Sequence, residues 1–164
     1  ILITRGSVKI SIMDTVVDIL GRGSVIGEMA VLAGVPRIAD VIADTTVTAL
    51  WMRRIEMNEL MEECPALATG LWETAGRRFA ENLLKSKEPY INKSQWEFRR
   101  WLSEGEVVSP ASGESLDLYG KVAILLSGTA TAPDVPEPMK TVAQLNVPKA
   151  TFPDGGRVWI HSES

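Results

Sequence analysis

The most informative stretch of the chain is the sequence GEMAVLAGVPRIAD at residues 27–40. Gly27 lets the backbone approach a ligand closely, and consecutive backbone amides beside it can surround anionic oxygens. Glu28 can accept a hydrogen bond from a sugar hydroxyl, and the planar guanidinium of Arg37 fits phosphate oxygens better than a lysine does. Pro36 restricts the backbone just before that arginine. The stretch therefore predicts a loop that binds a sugar and its phosphate together.

Length and composition limit the classes of protein to which the chain can belong. Its 164 residues are enough for one ordinary domain or two small ones, and a hydrophobic content of 45% can support a core. The 17 basic and 21 acidic residues give a net charge of −4, and no basic cluster could neutralise a nucleic-acid backbone. We therefore expect no nucleic-acid partner.

The cysteine and histidine content bears on compartment and chemistry. The chain has one cysteine, Cys64, so an intrachain disulfide is excluded and a reducing, cytosolic compartment is expected. Cys64 is predicted to be buried as a small hydrophobic residue. His161 is the single histidine, which removes catalytic triads and most zinc sites. We expect neither enzymatic activity nor a metal.

The first half of the chain predicts short antiparallel strands followed by a helix. Apolar and β-branched runs separated by glycine turns predict strands at 1–4, 7–12, 15–20 and 45–52, with a helical turn at 28–33. We interpret this pattern as a β-roll. After Pro65, apolar residues recur at intervals of four and predict an amphipathic helix over 65–85.

A second unit is predicted to begin at Ser94. Residues 89–93 are interpreted as a linker between a first domain, 1–88, and a second unit, 94–164. Ser94 and Glu97 form a capping box, which predicts a helix start. Strands are predicted at 115–119, 122–126 and 141–145, the proline-rich segment 131–139 is predicted to be a mobile loop, and the end from residue 150 has no assignment.

One internal similarity connects the two units. The sequences ILITRGSV at 1–8 and AILLSGTA at 123–130 share an apolar run, a polar step, a glycine, a hydroxyl residue and a small apolar residue. If this is a repeat, the second unit is a degenerate copy of the first. That copy has no Gly-Glu and arginine loop.

The loop at 27–39, with RGSV at 5–8 before it and PAL at 65–67 after it, resembles the cyclic nucleotide-binding domain family. The likeness covers residues 1 to 88, without the family's first helix and first strands. It implies a mainly β fold with flanking helices: a cyclic-nucleotide-binding-type β-roll, followed by a smaller degenerate unit of one helix and strands.

The same resemblance implies the ligand and the role of each loop residue. Gly27 and the amides of Met29 and Ala30 would face the ribose and phosphate of cAMP or cGMP. Glu28 would bind the 2′-hydroxyl and Arg37 the cyclic phosphate. No other cofactor is expected.

Asp40 departs from the family pattern, which usually has threonine or serine after the alanine that corresponds to Ala39. An ionised carboxylate cannot donate a hydrogen bond to a phosphate. Two like charges ~4 Å apart repel by roughly 4 kcal/mol at an effective dielectric constant near 20. Such repulsion would weaken phosphate binding by on the order of a thousandfold. The alternatives are that Asp40 points outward, or that it pairs with Arg37 and fills a vestigial pocket.

A narrower resemblance concerns the whole chain. The order of loop, long helix, connector, capped helix and second strand unit resembles the cytosolic tail of plasma-membrane sodium/proton antiporters of the salt-overly-sensitive class. The matching residues are EFRRWL at 97–102, Gly113, Glu114 and LLSG at 125–128. This resemblance implies a homodimeric regulatory tail joined to a transmembrane exchanger domain of the same polypeptide, on the cytoplasmic face of the plasma membrane.

Two alternatives remain open at this point. One is a genuine cAMP or cGMP sensor of a channel or of a kinase regulator. The other is a structural or dimerisation domain with a vestigial pocket.

Overall fold

The computed structural model describes residues 1–162. Contacts divide the chain into two compact units, a first unit of Ile1–Ala68 and a second unit that begins at Thr69. This division lies inside a helix, earlier in the chain than the linker predicted at 89–93. The sequence-based domain limits stay a prediction.

The first unit consists of short strands, one short helix and a longer helix. Its elements are β1 (Leu2–Arg5), β2 (Val8–Ile12), β3 (Thr15–Leu20), α1 (Glu28–Ala33), β4 (Asp40–Ala43), β5 (Thr48–Leu50) and α2 (Arg54–Glu63). Strands β3, β2 and β4 form one antiparallel sheet in that order, and β1 pairs with β5. Helix α3 (Pro65–Leu84) starts at the end of this unit and continues into the second.

Local sequence explains the hairpin at the start of the roll. The two residues between β2 and β3 are Met13 and Asp14, whose φ angles are 47° and 62°. Positive φ at both central positions is the geometry of the two-residue turn that matches the twist of paired strands. The hairpin therefore closes without additional loop residues.

The second unit is a larger antiparallel sheet with helices. After α3 it has a 3-10 turn (Tyr90–Asn92) and α4 (Gln95–Ser103), and then β6 (Glu106–Val108), β7 (Glu114–Asp117), β8 (Lys121–Ala132), β9 (Val135–Lys140), β10 (Ala143–Gln144), β11 (Lys149–Phe152) and β12 (Gly156–Ser162). The sheet order is β6-β12-β8-β11-β7, and β9 and β10 also pair with β8.

The second unit has two buried regions. Phe152, Val158 and Leu125 belong to a cluster formed by the strands and their connections, and the fully buried Trp159 and Leu126 lie next to α3. A Cβ on Gly76 of α3 would lie 3.0 Å from Cδ1 of Trp159 and 3.3 Å from Cδ1 of Leu126, so the helix approaches the sheet closely at this glycine. Helix α3 therefore packs on β8 and β12.

The fold class predicted from sequence is confirmed. The fold is mainly β with flanking helices, and the predicted strands at 7–12 and 15–20, the helical turn at 28–33 and the helix from Pro65 are all present. The elements that sequence did not predict are strands β4, β6, β9, β11 and β12 and helix α2. Strand β5 is shorter than the predicted 45–52, because residues 44–47 form a loop between β4 and β5.

Two sequence predictions are wrong. The segment 131–139 is not a loop: it contains the end of β8 and most of β9, which form a hairpin. Its prolines are accommodated because Pro133 lies in the turn, and Pro136 and Pro138 lie in a strand that pairs with β8 alone. Cys64 is exposed, because it is the residue at which α2 ends and α3 is about to begin.

The predicted capping box at the start of α4 is confirmed. The backbone amide of Glu97 donates to the hydroxyl of Ser94 at 3.3 Å, and the amide of Ser94 donates to Oε2 of Glu97 at 2.9 Å. Hydrogen bonds from the Ser94 side chain, and then from its backbone, lower the pKa of Glu97 below its ordinary value. The carboxylate is therefore ionised at neutral pH and satisfies the backbone at the helix start.

We expect Ser94→Ala to lower the free energy of unfolding of the second unit by about 1 kcal/mol, because one backbone amide at the helix start loses its acceptor. Ser86→Ala is the matched control, since Ser86 is exposed in a turn and caps no helix. Urea unfolding followed by circular dichroism measures both. Equal midpoints for the two variants would contradict the capping role.

Candidate functional site

The loop at 27–40 is anchored to the first strand of the roll. The amide of Ile26 donates to the carbonyl of Ile1 at 2.8 Å, and the amide of Ile3 donates to the carbonyl of Ser24 at 3.0 Å. Leu2 and Val25 form an antiparallel bridge between the same two segments. The residue before Gly27 is therefore held in register with β1, which fixes where the loop begins.

Two glycines give the loop its shape. Gly27 precedes α1 with φ 83°, and Gly34 follows the helix with φ 67°. Both are in the left-handed region, which glycine adopts without steric cost. Gly34 ends the helix after six residues and turns the chain back toward Arg37. Its role was not predicted, although a glycine just after a short apolar helix is a recognisable stop signal.

Arg37 returns to the start of the loop and lies over Gly27. A Cβ built on Gly27 would be 3.6 Å from Nη2 and 3.7 Å from Cζ of Arg37. The guanidinium is thus in van der Waals range of the backbone that precedes α1, although Gly27 and Arg37 are ten positions apart. Arg37 is also exposed, so its donors are accessible to a ligand.

Glu28 is the buried acid of the site. Its exposed fraction is 5%, and it occupies the first position of α1. Burial lowers the pKa of the Ile1 α-amino group; the charge of Arg37 lowers it further, and that of Glu28 raises it. The charges of Glu28 and Arg37 thus both act on the start of β1. The two residue types required for a sugar and a phosphate are brought to one end of the roll.

The other predicted positions have different environments. Met29 and Ala30 are half-buried in the first turn of α1, and Ala39 is half-buried just before β4. Asp40 is exposed and is the first residue of β4, where it pairs with Ser11 of β2.

The structure bears on one of the alternatives for Asp40, its pairing with Arg37. Within residues 1–162, no ion pair joins Arg37 to Asp40, since the ion pairs of arginine in this range involve other residues. Asp40 is held by the backbone register of β4. The pocket is therefore not closed by an Arg37–Asp40 pair.

The first part of the chain is similar to a known family. Residues 1–64 match the family described as "Cyclic nucleotide-binding domain". The matched range includes every predicted loop residue, from Gly27 to Asp40, and ends at Cys64, just before α3.

Three solved structures are similar to the chain at low identity. Cyclic-AMP-bound PfPKA-R is 17% identical with a TM-score of 0.40, and the match covers 99% of this chain and 62% of that chain. The regulatory subunit of a cAMP-independent protein kinase A from Trypanosoma cruzi, bound to guanosine, is 16% identical with a TM-score of 0.39, with 99% and 62% covered. The C-linker/CNBHD of zELK channels is 13% identical with a TM-score of 0.35, with 64% and 62% covered.

The chain spans less than two thirds of the length of the first of these structures. The family match covers residues 1–64. In the described range, no helix has both the length and the apolar character needed to cross a membrane.

Proposed function

We propose that the chain is a non-catalytic regulatory piece that binds a cyclic nucleotide, cAMP or cGMP, in the loop at 27–40. The observation that carries this proposal is the position of the exposed Arg37 guanidinium over the backbone of Gly27. A planar fork of donors beside a glycine backbone suits a cyclic phosphate. Glu28 at the adjacent position supplies a carboxylate for the ribose 2′-hydroxyl.

The proposed regulation is a shift between two states of the protein. A ligand can move such an equilibrium only by binding one state more tightly than the other. The loop and β5 are followed directly by α2 and α3. A change in the loop on ligand binding could therefore be passed to these helices.

Titration calorimetry with cAMP and cGMP tests the proposal. We expect saturable heat for at least one of the two nucleotides. The absence of binding heat for both nucleotides at about millimolar concentration would overturn the proposal. A dissociation constant of about 1 mM corresponds to roughly 4 kcal/mol of binding free energy.

The finer proposal places the chain in the cytosolic tail of a sodium/proton exchanger, as a homodimer on the cytoplasmic face of the plasma membrane. Its support is the order of elements, a binding loop, a long helix, a capped helix at 95–103 and a second strand unit, which is the order that the resemblance implies. The transmembrane exchanger domain of the same polypeptide is then the partner.

Transport measurements test this placement. The gene that encodes the chain should also encode about a dozen apolar helices of ~20 residues each upstream of Ile1. In vesicles that contain the full-length protein, cyclic nucleotide should change the rate of sodium/proton exchange, and Arg37→Gln should remove that change. A parent gene without such helices would refute the placement and leave nucleotide binding untouched.

We expect Asp40→Thr to tighten nucleotide binding at least about tenfold, because it replaces a charge that repels phosphate with a hydroxyl that can donate to it. Asp14→Asn is the matched control. It also removes one exposed carboxylate, at a left-handed turn position that asparagine tolerates. If calorimetry gives both variants the affinity of the wild type, Asp40 points away from the ligand.

A further inference from the structure

We propose that the second unit is a second copy of the β-roll in which a three-residue turn replaces the phosphate-binding loop, so that the chain binds one cyclic nucleotide and not two. The equivalence of the rolls rests on strand pairing, backbone hydrogen bonds and the contacts of two glycines, and not on the proposed function. The count of ligands also rests on the proposed function.

The first correspondence is the strand that anchors the loop. In the first unit, the amide of Ile26 donates to the carbonyl of Ile1 at 2.8 Å; in the second, the amide of Leu145 donates to the carbonyl of Ala123 at 2.8 Å. Ile1 and Ala123 are the first residues of the two similar sequences, ILITRGSV and AILLSGTA. The two similar sequences therefore begin at residues that accept equivalent backbone hydrogen bonds.

The second correspondence is a register shift at one position. Ile3 pairs with Ala49 and Arg5 with Thr48, so Thr4 has no partner in β5. In the second unit, Leu125 pairs with Val158 and Ser127 with Arg157, so Leu126 has none in β12. Thr4 and Leu126 both occupy the fourth place of the shared sequence. The two rolls thus have the same bulge.

A glycine two residues after that bulge is the third correspondence. Gly6 has φ 82°, and a Cβ there would lie 2.2 Å from the carbonyl oxygen of Thr46. Gly128 has φ 91°, and a Cβ there would lie 2.5 Å from the carbonyl oxygen of Gly155. In each roll, the loop before the final paired strand crosses directly over a left-handed glycine.

The remaining strands pair in the same way. Strand β2 lies between β3 and β4, and the second half of β8 pairs with both β9 and β11. Lys9 pairs with Ile42, and Thr131, at the equivalent place, pairs with Thr151. This pairing, the bulge and the glycine contact all give one alignment, in which residues 40–50 correspond to residues 149–159 without a gap.

The two rolls differ at the functional loop. Ile26 corresponds to Leu145, and Asp40 corresponds to Lys149. Between these points the first unit has thirteen residues, 27–39, and the second has three, Asn146, Val147 and Pro148. The replaced segment contains α1, both loop glycines and Arg37.

The three-residue turn lacks the chemistry for a phosphate. It contains no arginine and no glycine, and the chain returns at once to β11. It lines a cavity of about 410 Å³ with Tyr119 and Lys121, whose Nζ donates to the carbonyl of Asp117 at 3.1 Å.

The stoichiometry of nucleotide binding tests the inference on the full chain. Calorimetry with cAMP and cGMP should give one site per chain, and Arg37→Gln should weaken binding at that site at least about a hundredfold. Two sites per chain, or a site that keeps the wild-type affinity in Arg37→Gln, would overturn the single-site inference while nucleotide binding itself stands.

A loop exchange tests the equivalence of the rolls. Residues 146–148 are replaced by the sequence of residues 27–39, which should join β10 to β11 without disturbing either strand. We expect the exchanged chain to unfold as cooperatively as the wild type and to bind two nucleotides per chain. The same exchange with glutamine in place of the grafted arginine should bind one.

The outcomes separate the two proposals. An exchanged chain that does not fold, or that folds and gains no site although the wild-type site binds, would overturn the equivalence. If the wild type gives no heat, the proposed nucleotide function fails, and the unfolding curve of the exchanged chain still decides whether the rolls are equivalent.

Discussion

Arg37→Gln is expected to weaken cyclic nucleotide binding at least about a hundredfold, because charge-assisted, bidentate hydrogen bonds to phosphate are among the strongest polar contacts in proteins. The guanidinium is exposed and lies against the backbone of Gly27. Glutamine keeps much of the side-chain length and removes the charge. The loop itself should persist, because its start is held by the hydrogen bonds between residues 24–26 and β1.

The matched control is Arg22→Gln, which removes one exposed arginine from a neighbouring turn of the same unit. It should bind nucleotide as the wild type does, with the small change expected from net charge alone. Calorimetry gives the affinity, and circular dichroism verifies that both variants fold. Similar affinities for the two variants would show that phosphate is bound elsewhere.

Gly6→Ala is expected to lower the free energy of unfolding of the first unit by about 3–5 kcal/mol, which is enough to unfold a marginal domain. Two effects add. The backbone at Gly6 has φ 82°, which strains any residue with a Cβ. The new methyl group would also lie 2.2 Å from the carbonyl oxygen of Thr46, and a backbone atom in a paired loop cannot move aside as a side chain can.

Gly23→Ala separates these two effects. Gly23 has φ 85°, nearly the same angle, but a Cβ there would meet no atom within 4 Å. The control should therefore show the backbone strain alone, about 1 kcal/mol. Urea unfolding followed by circular dichroism compares the variants. If both variants lose the same free energy of unfolding, the contact between residue 6 and the loop at 44–47 does not contribute to the loss at Gly6.

The elements that sequence predicted well are those whose signal is local. Strands β2 and β3, the helix that begins at Pro65 and the capping box of Ser94 and Glu97 all depend on neighbouring residues, through hairpin geometry, periodicity and capping. Strand β4 was missed because nothing near Asp40 marks a strand start. It is a strand because β2 provides a partner for residues 40–43. The segment 131–139 was predicted to be a loop because proline is unfavourable inside a sheet. Strand β9 accommodates its prolines because it pairs with β8 on one side only.

In the candidate site, too, local sequence predicts some features and tertiary contacts decide others. Its residue types, Gly27, Glu28 and Arg37, could be recognised from their order and spacing, and the family match of residues 1–64 agrees with that reading. The sequence could not predict two features of the site. Arg37 lies over Gly27, and Asp40 is held in β4 instead of pairing with Arg37. Both depend on how α1 and Gly34 turn the chain back, and on the register of β4 with β2.

By itself, the sequence of this protein determined the kind of domain at its start, because a short loop carries its chemistry in the order of its residues. Only the tertiary structure decided that the likeness between residues 1–8 and 123–130 extends to a whole roll. The bulge, the left-handed glycine and the strand register recur in both units, while few of the residues around them do. Strand pairing is made by backbone hydrogen bonds that many side chains permit, so the topology can be kept after the sequence has changed.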